Sequence, residues 1–175
     1  EGGLAVVLEK GINGDMITLY ENATQIPLLW THLIPSTLEG KAMHNVQNSM
    51  FAAAISYGLG KSLEDVRHGL RTFDSTFFQT PGRMNVFDDH PFKVILDYAH
   101  NPDAVKMMCD VVRQLEPQGM KICVISAPGD RRDEDIKSIA EIAAEHFDYF
   151  ICRADDNRRK RGNDEVPKMM KDVLI

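Results

Sequence analysis

The sequence predicts an α/β fold whose C-terminal half is built around a parallel β-sheet. Three apolar runs, "FKVILDY", "KICVISA" and "DYFICRA", each have the length of a buried strand, and helical patterns separate them. Strand, helix, strand, helix, strand is the order that right-handed crossovers produce in a parallel sheet. The runs are apolar throughout, which is typical of strands covered by helices on both faces.

The segment before Pro81-Gly82 predicts a hairpin followed by two helices. "LAVVLEKGINGDMITLY" places apolar residues on both sides of Asn13-Gly14, a strong turn signal, and "QIPLL" adds a short extended piece. A helical pattern runs from about His44 to a glycine near residue 58 or 60. "SLEDVRHGLRTF" predicts the second helix, with Ser62 as its N-cap.

Pro81-Gly82 breaks both patterns and marks the expected domain boundary. We therefore expect one domain in residues 1–80 and another in residues 81–175. After the boundary the helices are predicted in "PDAVKMMCDVVRQLEP", "DEDIKSIAEIAAEHF" and "EVPKMMKDVLI". The last pattern runs to the end of the chain, and there is no initiator Met, so we expect a piece of a longer protein.

Composition excludes several function classes. The net charge of −6 argues against a general nucleic-acid binder. No apolar run approaches the ~20 residues that cross a bilayer, and no signal-peptide pattern is present, so we expect a cytoplasmic protein without nucleic-acid or membrane partners. The three cysteines cannot all pair and lack metal-ligand spacing, which favours reduced, buried thiols.

Polar residues concentrate in the three segments that follow the predicted strands. These segments are "DYAHNPD", "SAPGDRRDED" and "RADDNRRKRG". The carboxyl ends of parallel strands meet at one edge of a sheet, where ligands of open α/β sheets bind. The sequence therefore predicts a binding site at that edge.

Each residue of the first segment has two interpretations. Asp97 can hold ribose hydroxyls, or it can accept hydrogen bonds from nearby backbone N–H groups. His100 can contact a base, although a single His is more often structural. Asn101, before a proline, can simply shape the turn.

The other two segments carry glycine and cations. Gly129 permits a positive φ and an anion-binding turn before a helix, whereas Asp130 or Asp133 can be an ordinary helix cap. "DDNRRKRG" offers arginines that hold carboxylates or phosphates bidentately. A solvated loop and a nucleic-acid patch are the alternatives, and the latter is disfavoured because no aromatic residues interleave the basic ones.

The segment "HNVQN" places two amides on one helical face. Asn45 and Asn48 are three residues apart, so both can read the edge of a base. Alternatively, Asn45 caps the helix and Asn48 is simply exposed.

Taken in order, "HNVQNSMFAAA", "PGRMNVF" and "DYAHNPDA" resemble the Mur ligase superfamily. The first resembles the end of its central ATP-binding domain, and the second resembles the hinge into its Rossmann-like C-terminal domain. Within the superfamily, "GDRRDEDI" and "DDNRRKRG" look most like the cyanophycin synthetases.

The resemblance implies an ATP-dependent amide ligase. ATP would phosphorylate an acceptor carboxylate, and the amine of an incoming amino acid would attack the acyl phosphate. In the cyanophycin branch that amino acid is aspartate, which is added to a poly-aspartate backbone. The P-loop, the Mg²⁺ ligands and the other catalytic groups of the family would lie upstream of Glu1. The resemblance thus implies no catalytic or metal-binding residue within this chain, no turnover by the chain alone, and a homo-oligomeric full-length enzyme.

The resemblance also assigns roles to individual residues. The implied nucleotide contacts are Asn45 and Asn48 at adenine, Arg83 at the phosphates, Asp97 at the ribose, and His100 and Asn101 beside it. The implied contacts to the incoming amino acid, or to the acidic polymer or peptide acceptor, are Asp130, Arg131, Arg158, Arg159 and Arg161.

Two rival functions stay open. One is another Mur-type ligase, such as a peptidoglycan-precursor enzyme or folylpolyglutamate synthase. The other is a non-catalytic nucleotide-binding module. A P-loop and an ATP-grasp domain upstream in the open reading frame would favour the cyanophycin branch.

Overall fold

The computed structural model describes residues 3–175, which divide into two compact units. The first unit extends to Tyr98, and the second comprises Ala99–Ile175. The hairpin that follows the Pro-Gly hinge belongs to the first unit by its contacts. The domain boundary expected at Pro81-Gly82 stays a prediction.

The first unit begins with a three-stranded antiparallel sheet in the order β1-β2-β3. Its strands are β1 (Leu4–Gly11), β2 (Gly14–Glu21) and β3 (Thr24–Trp30). Gly11 pairs with Gly14 across a two-residue turn, which confirms the predicted hairpin. The extended piece predicted in "QIPLL" is part of the longer strand β3, which pairs with β2.

Two helices follow the sheet, as predicted. Two short 3₁₀ turns, Thr31–Leu33 and Pro35–Thr37, precede α1 (Met43–Gly58), and α2 (Leu63–Thr72) comes next. Apolar side chains of the sheet and of both helices form one core, whose buried members include Ile17, Leu19, Leu29, Val46, Ala53, Val66 and Leu70. The core fixes the start of α1 against the sheet.

The predicted cap of α2 is confirmed. The Ser62 hydroxyl accepts a hydrogen bond from the Asp65 backbone N–H at 3.1 Å, and the Asp65 carboxylate accepts from the Ser62 N–H at 3.3 Å. This reciprocal pair is a capping box, and it satisfies two N–H groups at the end of the helix.

The strand expected in "FKVILDY" does not belong to the parallel sheet. Its ordered part, β5 (Val94–Leu96), pairs antiparallel with β4 (Asn85–Phe87). The intervening segment "DDHPF" carries turn-forming Asp and Pro residues, so "NVFDDHPFKVIL" forms a hairpin. Sequence analysis missed this signal because each apolar run was considered separately.

The second unit contains the parallel sheet, which confirms the predicted fold class. Its elements are α3 (Pro102–Gln114), β6 (Ile122–Ile125), α4 (Asp133–Ala144), β7 (Tyr149–Cys152) and α5 (Glu165–Leu174). Strands β6 and β7 are parallel, with Ile122 opposite Tyr149 and Ile125 opposite Cys152. A second core forms on one side of these strands, and its buried members include Ile125, Ile136, Ile139, Ala140, Val166 and Met170.

The other side of the parallel strands is exposed, contrary to the expectation that helices cover both faces. Ile122, Val124, Tyr149 and Ile151 retain 55%, 61%, 57% and 49% of their accessible surface. They alternate with the core residues because successive side chains of a strand point to opposite faces. The continuous apolar runs that predicted a fully covered sheet are therefore covered on one face only in residues 3–175.

The three cysteines are free thiols. Burial raises the pKa of the Cys109 thiol to about 11 and that of Cys123 to about 12. Thiols with such pKa values stay protonated and unreactive at neutral pH. Within the described residues, no helix is long and apolar enough to cross a membrane.

Candidate functional site

The hinge loop, residues 80–85, is organised around a buried asparagine. Asn85 is 1% exposed, and its amide nitrogen donates to the carbonyls of Ser75 at 2.8 Å and Thr80 at 2.9 Å. Its amide oxygen accepts from the Gly82 N–H at 2.7 Å. Because these bonds involve both ends of the amide, Asn85 determines the path of the loop. Sequence analysis did not identify this residue, although an Asn directly after "PGRM" in a turn was a usable signal.

Asp97 supports the same loop. Its Oδ2 accepts a hydrogen bond from the Met84 N–H at 2.9 Å, and Met84 has a positive φ of 50°. A left-handed φ is uncommon for a residue with a long side chain, so the bond stabilises an unfavourable backbone conformation. The structural interpretation of Asp97 is thereby confirmed, and contact with a ribose stays a prediction.

Arg83 is exposed at the hinge and lies over the ring of Tyr98. Its Cζ is 5.7 Å from the ring centroid, within the range of a cation–π contact. The backbone of Tyr98 also donates to the Gly82 carbonyl at 2.8 Å. These contacts orient a permanent positive charge beside the end of β5.

The start of α1 carries the two predicted amides. The side-chain amide of Asn45 donates to the Ser36 carbonyl at 2.7 Å, and that of Asn48 donates to Asn45 Oδ1 at 3.3 Å. The two amides therefore lie together on one face, as predicted, with Asn45 half-buried and Asn48 exposed. Asn45 is held by the backbone, so Asn48 is the amide more available to a ligand.

His44 is a candidate that sequence analysis missed. Burial lowers the pKa of its imidazole, and the negative charge of Asp97 acts in the opposite direction. Its Nδ1 is buried and has no hydrogen-bond partner among residues 3–175. Because the charge of Asp97 acts on His44, the Asp97 carboxylate lies close enough to the start of α1 to interact electrostatically with it. Asn45 is the next residue of that helix.

The segment after β5 follows a strand of the antiparallel hairpin, whereas the other two polar segments follow the strands of the parallel sheet. The prediction of a shared edge for all three segments is therefore wrong for Asp97, because β5 pairs with β4. Asn101, in the second unit, caps α3 through its Oδ1, which accepts from the Ala104 N–H at 2.8 Å. This agrees with the turn-shaping interpretation of Asn101. Nucleotide contacts by His100 and Asn101 stay predictions.

The loops that follow β6 and β7 do meet, as the parallel sheet predicts. We name them the β6 loop (residues 126–132) and the β7 loop (residues 153–164). A Cβ atom added to Gly129 would lie 2.1 Å from the Arg158 carbonyl oxygen. Gly129 does not adopt the positive φ that a glycine would permit there. The glycine is needed because two backbones approach closely.

Arg161 joins the two loops. Its Nε donates to the Gly129 carbonyl at 2.8 Å, and its Nη2 donates to the Arg131 carbonyl at 2.9 Å. It also forms ion pairs at 2.7 Å with Asp133, the first residue of α4, and with Glu165, the first residue of α5. These protein groups occupy the guanidinium of Arg161, and its predicted contact with substrate stays a prediction.

Arg132 and Arg153 of these loops form ion pairs with Asp135 and Asp156. Arg131, Arg158 and Arg159 form no ion pair within the described part of the chain. Arg131 is half-buried, and its Nε has no hydrogen-bond partner in the described part of the chain. Arg158 and Arg159 are exposed, and Arg158 lines a small pocket with Gly129, Arg161 and Asn163. Asp130 is exposed in the same region of the β6 loop. The arrangement can hold a carboxylate or phosphate between loops in a chain of net charge −6.

Residues 82–173, more than half of the chain, match the model of the Mur ligase, glutamate ligase domain family. This chain belongs to that Mur ligase family. The match confirms the resemblance derived from "PGRMNVF" and "DYAHNPDA".

Several curated proteins are similar to this chain. Cyanophycin synthetase of Trichormus variabilis is 39% identical over 165 residues, which cover 92% of this chain and 17% of that protein. Cyanophycin synthetase of a Synechocystis species is 34% identical over 168 residues, covering 96% of this chain and 19% of that protein. The chloroplastic homologue of UDP-N-acetylmuramoyl-L-alanyl-D-glutamate–2,6-diaminopimelate ligase in Arabidopsis thaliana is 30% identical over 141 residues, which cover 80% of this chain and 17% of that protein. The chain therefore spans less than a fifth of the length of these relatives.

Solved Mur ligases share the fold. UDP-N-acetylmuramate-alanine ligase from Thermotoga maritima superposes with a TM-score of 0.60 at 19% identity, covering 99% of this chain and 35% of that one. A D-alanyl-D-alanyl-adding ligase from Acinetobacter baumannii superposes with a TM-score of 0.58 at 22% identity, and the match covers 97% of this chain and 34% of that one. At these identities the likeness shows the fold and not the substrate.

Proposed function

We propose that this chain is part of an ATP-dependent amide ligase that adds aspartate to the acidic end of a poly-aspartate chain. The observation that carries the proposal is the group formed by Arg131, Arg158 and Arg159 on the β6 and β7 loops, which have no ion pair within residues 3–175. The similarity to cyanophycin synthetases, 34–39% identical over 92% or more of this chain, supports the choice of substrate.

The second unit would bind the acidic substrates. Arg131, Arg158 and Arg159 present guanidinium groups that suit carboxylates, because their planar donors form paired hydrogen bonds. Asp130, which is exposed on the β6 loop, would attract the amino group of an incoming amino acid. Aspartate offers one ammonium and two carboxylates, which matches this set of charges.

The first unit would contact the nucleotide. Asn48, with Asn45 behind it, offers an amide to the edge of adenine, and Arg83 offers a fixed charge to the phosphates. Asp97 keeps one oxygen on Met84 and would use the other for a ribose hydroxyl.

ATP would supply the activation of the acceptor carboxylate, and Mg²⁺ would accompany it. Among residues 3–175, no group of three or more His, Cys, Asp or Glu residues is arranged to hold a metal ion. We propose that the Mg²⁺ ligands and the P-loop belong to upstream parts of the ligase, with residues 1–80 completing its central domain and residues 81–175 forming its C-terminal domain. This chain alone would then bind substrates without turnover, and the full-length enzyme would be a cytoplasmic homo-oligomer.

The proposal is tested by substrate omission. ADP release by the full-length polypeptide is measured with ATP, Mg²⁺, aspartate, arginine and a short poly-aspartate primer, each left out in turn. We expect ADP release to require both ATP and the primer. On a primer whose end accepts aspartate it should also require aspartate, and on a primer whose end accepts arginine it should require arginine. ADP release that is unaffected by omitting aspartate on an aspartate-accepting primer would overturn the proposal.

A second candidate is a ligase that adds 2,6-diaminopimelate. It is favoured by the 30% identity to the Arabidopsis homologue of the diaminopimelate ligase. The same assay, run with diaminopimelate in place of aspartate, decides between them. If the full-length polypeptide consumed no ATP with either amino acid, the result would instead favour a non-catalytic nucleotide-binding module.

A further inference from the structure

We propose that Arg161 is a positioning residue that sets the spacing of the β6 and β7 loops and does not itself bind the acidic substrate. The inference rests on the proposed function, because it separates Arg161 from the substrate-binding arginines of the same loops. It changes the role that the sequence assigned to this residue.

The donors of Arg161 are directed at the protein. Nε and Nη2 each donate to a carbonyl of the β6 loop, at Gly129 and Arg131, while Nη1 and Nη2 reach two carboxylates. These bonds use four of the five N–H groups that a guanidinium carries. A substrate carboxylate needs two parallel N–H donors, and Arg161 has no such pair left.

Burial agrees with this role. The Arg161 side chain is 18% exposed, whereas its carboxylate partners Asp133 and Glu165 are 56% and 46% exposed. Both carboxylates stabilise the charged guanidinium and raise its pKa. The arginine is thus the inner member of the cluster, and solvent reaches its partners first.

The position of the Arg161 bonds explains what they control. The two carbonyls that it binds belong to Gly129 and Arg131, the residues on either side of Asp130. The bonds therefore fix the backbone that carries the predicted substrate contacts Asp130 and Arg131. On the other loop, the Arg161 N–H donates to the Arg158 carbonyl at 3.0 Å. That carbonyl is the one in close contact with Gly129. One side chain therefore determines how far apart the charges of Arg131 and Arg158 lie.

The backbone between these residues needs such support. Arg159 and Lys160 both have positive φ values, 49° and 76°. Two successive left-handed residues with long side chains cost on the order of 1–2 kcal/mol each. The bonds of Arg161 offset that cost, and their loss is expected to release the turn.

The experiment compares Arg161→Gln, Arg161→Lys and Arg158→Gln in the full-length polypeptide. Arg158→Gln is the matched control, since it removes an equal charge three residues away without removing a described side-chain hydrogen bond. Hydrogen–deuterium exchange is measured for the β6 loop, and kcat and KM are measured for aspartate and for ATP. Circular dichroism checks that each variant is folded.

We expect Arg161→Gln to accelerate amide exchange in the β6 loop about tenfold or more, although the substitution lies in the other loop. Its kcat should fall and its KM for aspartate should rise together, with the KM for ATP unchanged. Arg161→Lys should give an intermediate effect, because an ammonium cannot reach both carbonyls in the same geometry. Arg158→Gln should leave exchange unchanged and raise only the KM for aspartate.

Unchanged β6-loop exchange in Arg161→Gln, with kinetics like those of Arg158→Gln, would overturn the inference. If Arg161→Gln does not fold, Arg161→Lys decides by the same two measurements. The exchange measurement does not depend on turnover. A wild-type protein without aspartate-dependent activity would therefore contradict the proposed function, while the exchange result would still decide the spacing role of Arg161.

Discussion

Gly129 is the residue where the two loops of the second unit come closest. A methyl group there would overlap the Arg158 carbonyl oxygen, which belongs to backbone and cannot rotate away. We expect Gly129→Ala to reduce the free energy of unfolding by about 1–3 kcal/mol and to separate the loops. Thermal unfolding measures the loss.

Gly119→Ala is the matched control for that substitution. Gly119 lies in the same unit, and an added Cβ would meet no atom within 4 Å. Its replacement should change the free energy of unfolding by less than about 1 kcal/mol. Equal effects of the two substitutions would show that the close approach at Gly129 is not formed in solution.

Asp97 has a structural and a proposed functional role that two substitutions can separate. Asp97→Asn keeps an oxygen that can accept from the Met84 N–H, whereas Asp97→Ala leaves that N–H without a partner. We expect Asp97→Ala to cost about 1–3 kcal/mol of unfolding free energy and Asp97→Asn to cost clearly less. Both should raise the KM of the full-length enzyme for ATP. An unaffected KM in both variants would contradict the ribose assignment.

At the scale of elements, the capping box of α2 makes stability depend on pH. Hydrogen bonds from Ser62 hold the pKa of Asp65 below its usual range. A carboxyl whose pKa is lower in the folded state stabilises the fold above its unfolded pKa of about 4. That contribution is lost as the pH falls through the lower, folded pKa.

Urea unfolding between pH 7 and pH 2.5 tests the capping box. The wild-type protein should lose stability below about pH 4 faster than Asp65→Asn, which has no carboxyl to titrate at this position. Ser62→Ala should lose about 1 kcal/mol at pH 7, since it removes the N-cap. Parallel pH profiles for the wild type and Asp65→Asn would contradict the proposed coupling.

Turns, helix ends and helix caps were predicted correctly from local sequence patterns, whereas the pairing of strand β5 was not. The turn beside Asn13, the end of α1 near Gly58 and the cap at Ser62 each depend on neighbouring residues, so the sequence specifies them. The partner of β5 depends on a choice between β4 and the parallel strands. Apolar content cannot make that choice, and only the Asp and Pro residues between the two runs indicated the hairpin.

The candidate site shows the same limit. Residue types placed Arg131, Arg158 and Arg161 on neighbouring loops, and the structure confirms that these loops meet. The sequence could not show which arginine is satisfied within the protein, because that depends on the carbonyls of Gly129 and Arg131. The support that Asn85 gives to the hinge was missed for the same reason, since its partners are backbone atoms.

At the scale of the whole molecule, the chain carries two groups of candidate residues on two compact units. The first unit holds the amides of α1 and the hinge around Arg83, and the second holds the arginines of the β6 and β7 loops. Each group has its own structural support, from Asn85 and Asp97 in one unit and from Arg161 in the other. We therefore expect that substitutions can impair the two groups separately.

The most direct test compares Arg83→Gln and Arg158→Gln in the full-length enzyme, with KM measured for ATP and for aspartate. Both arginines are exposed, so neither substitution should affect folding. We expect Arg83→Gln to raise the KM for ATP and Arg158→Gln to raise the KM for aspartate, each by about tenfold or more, with the other KM unchanged. If both variants raised the same KM, or neither raised any, the division of nucleotide and amino-acid recognition between the two units would be contradicted.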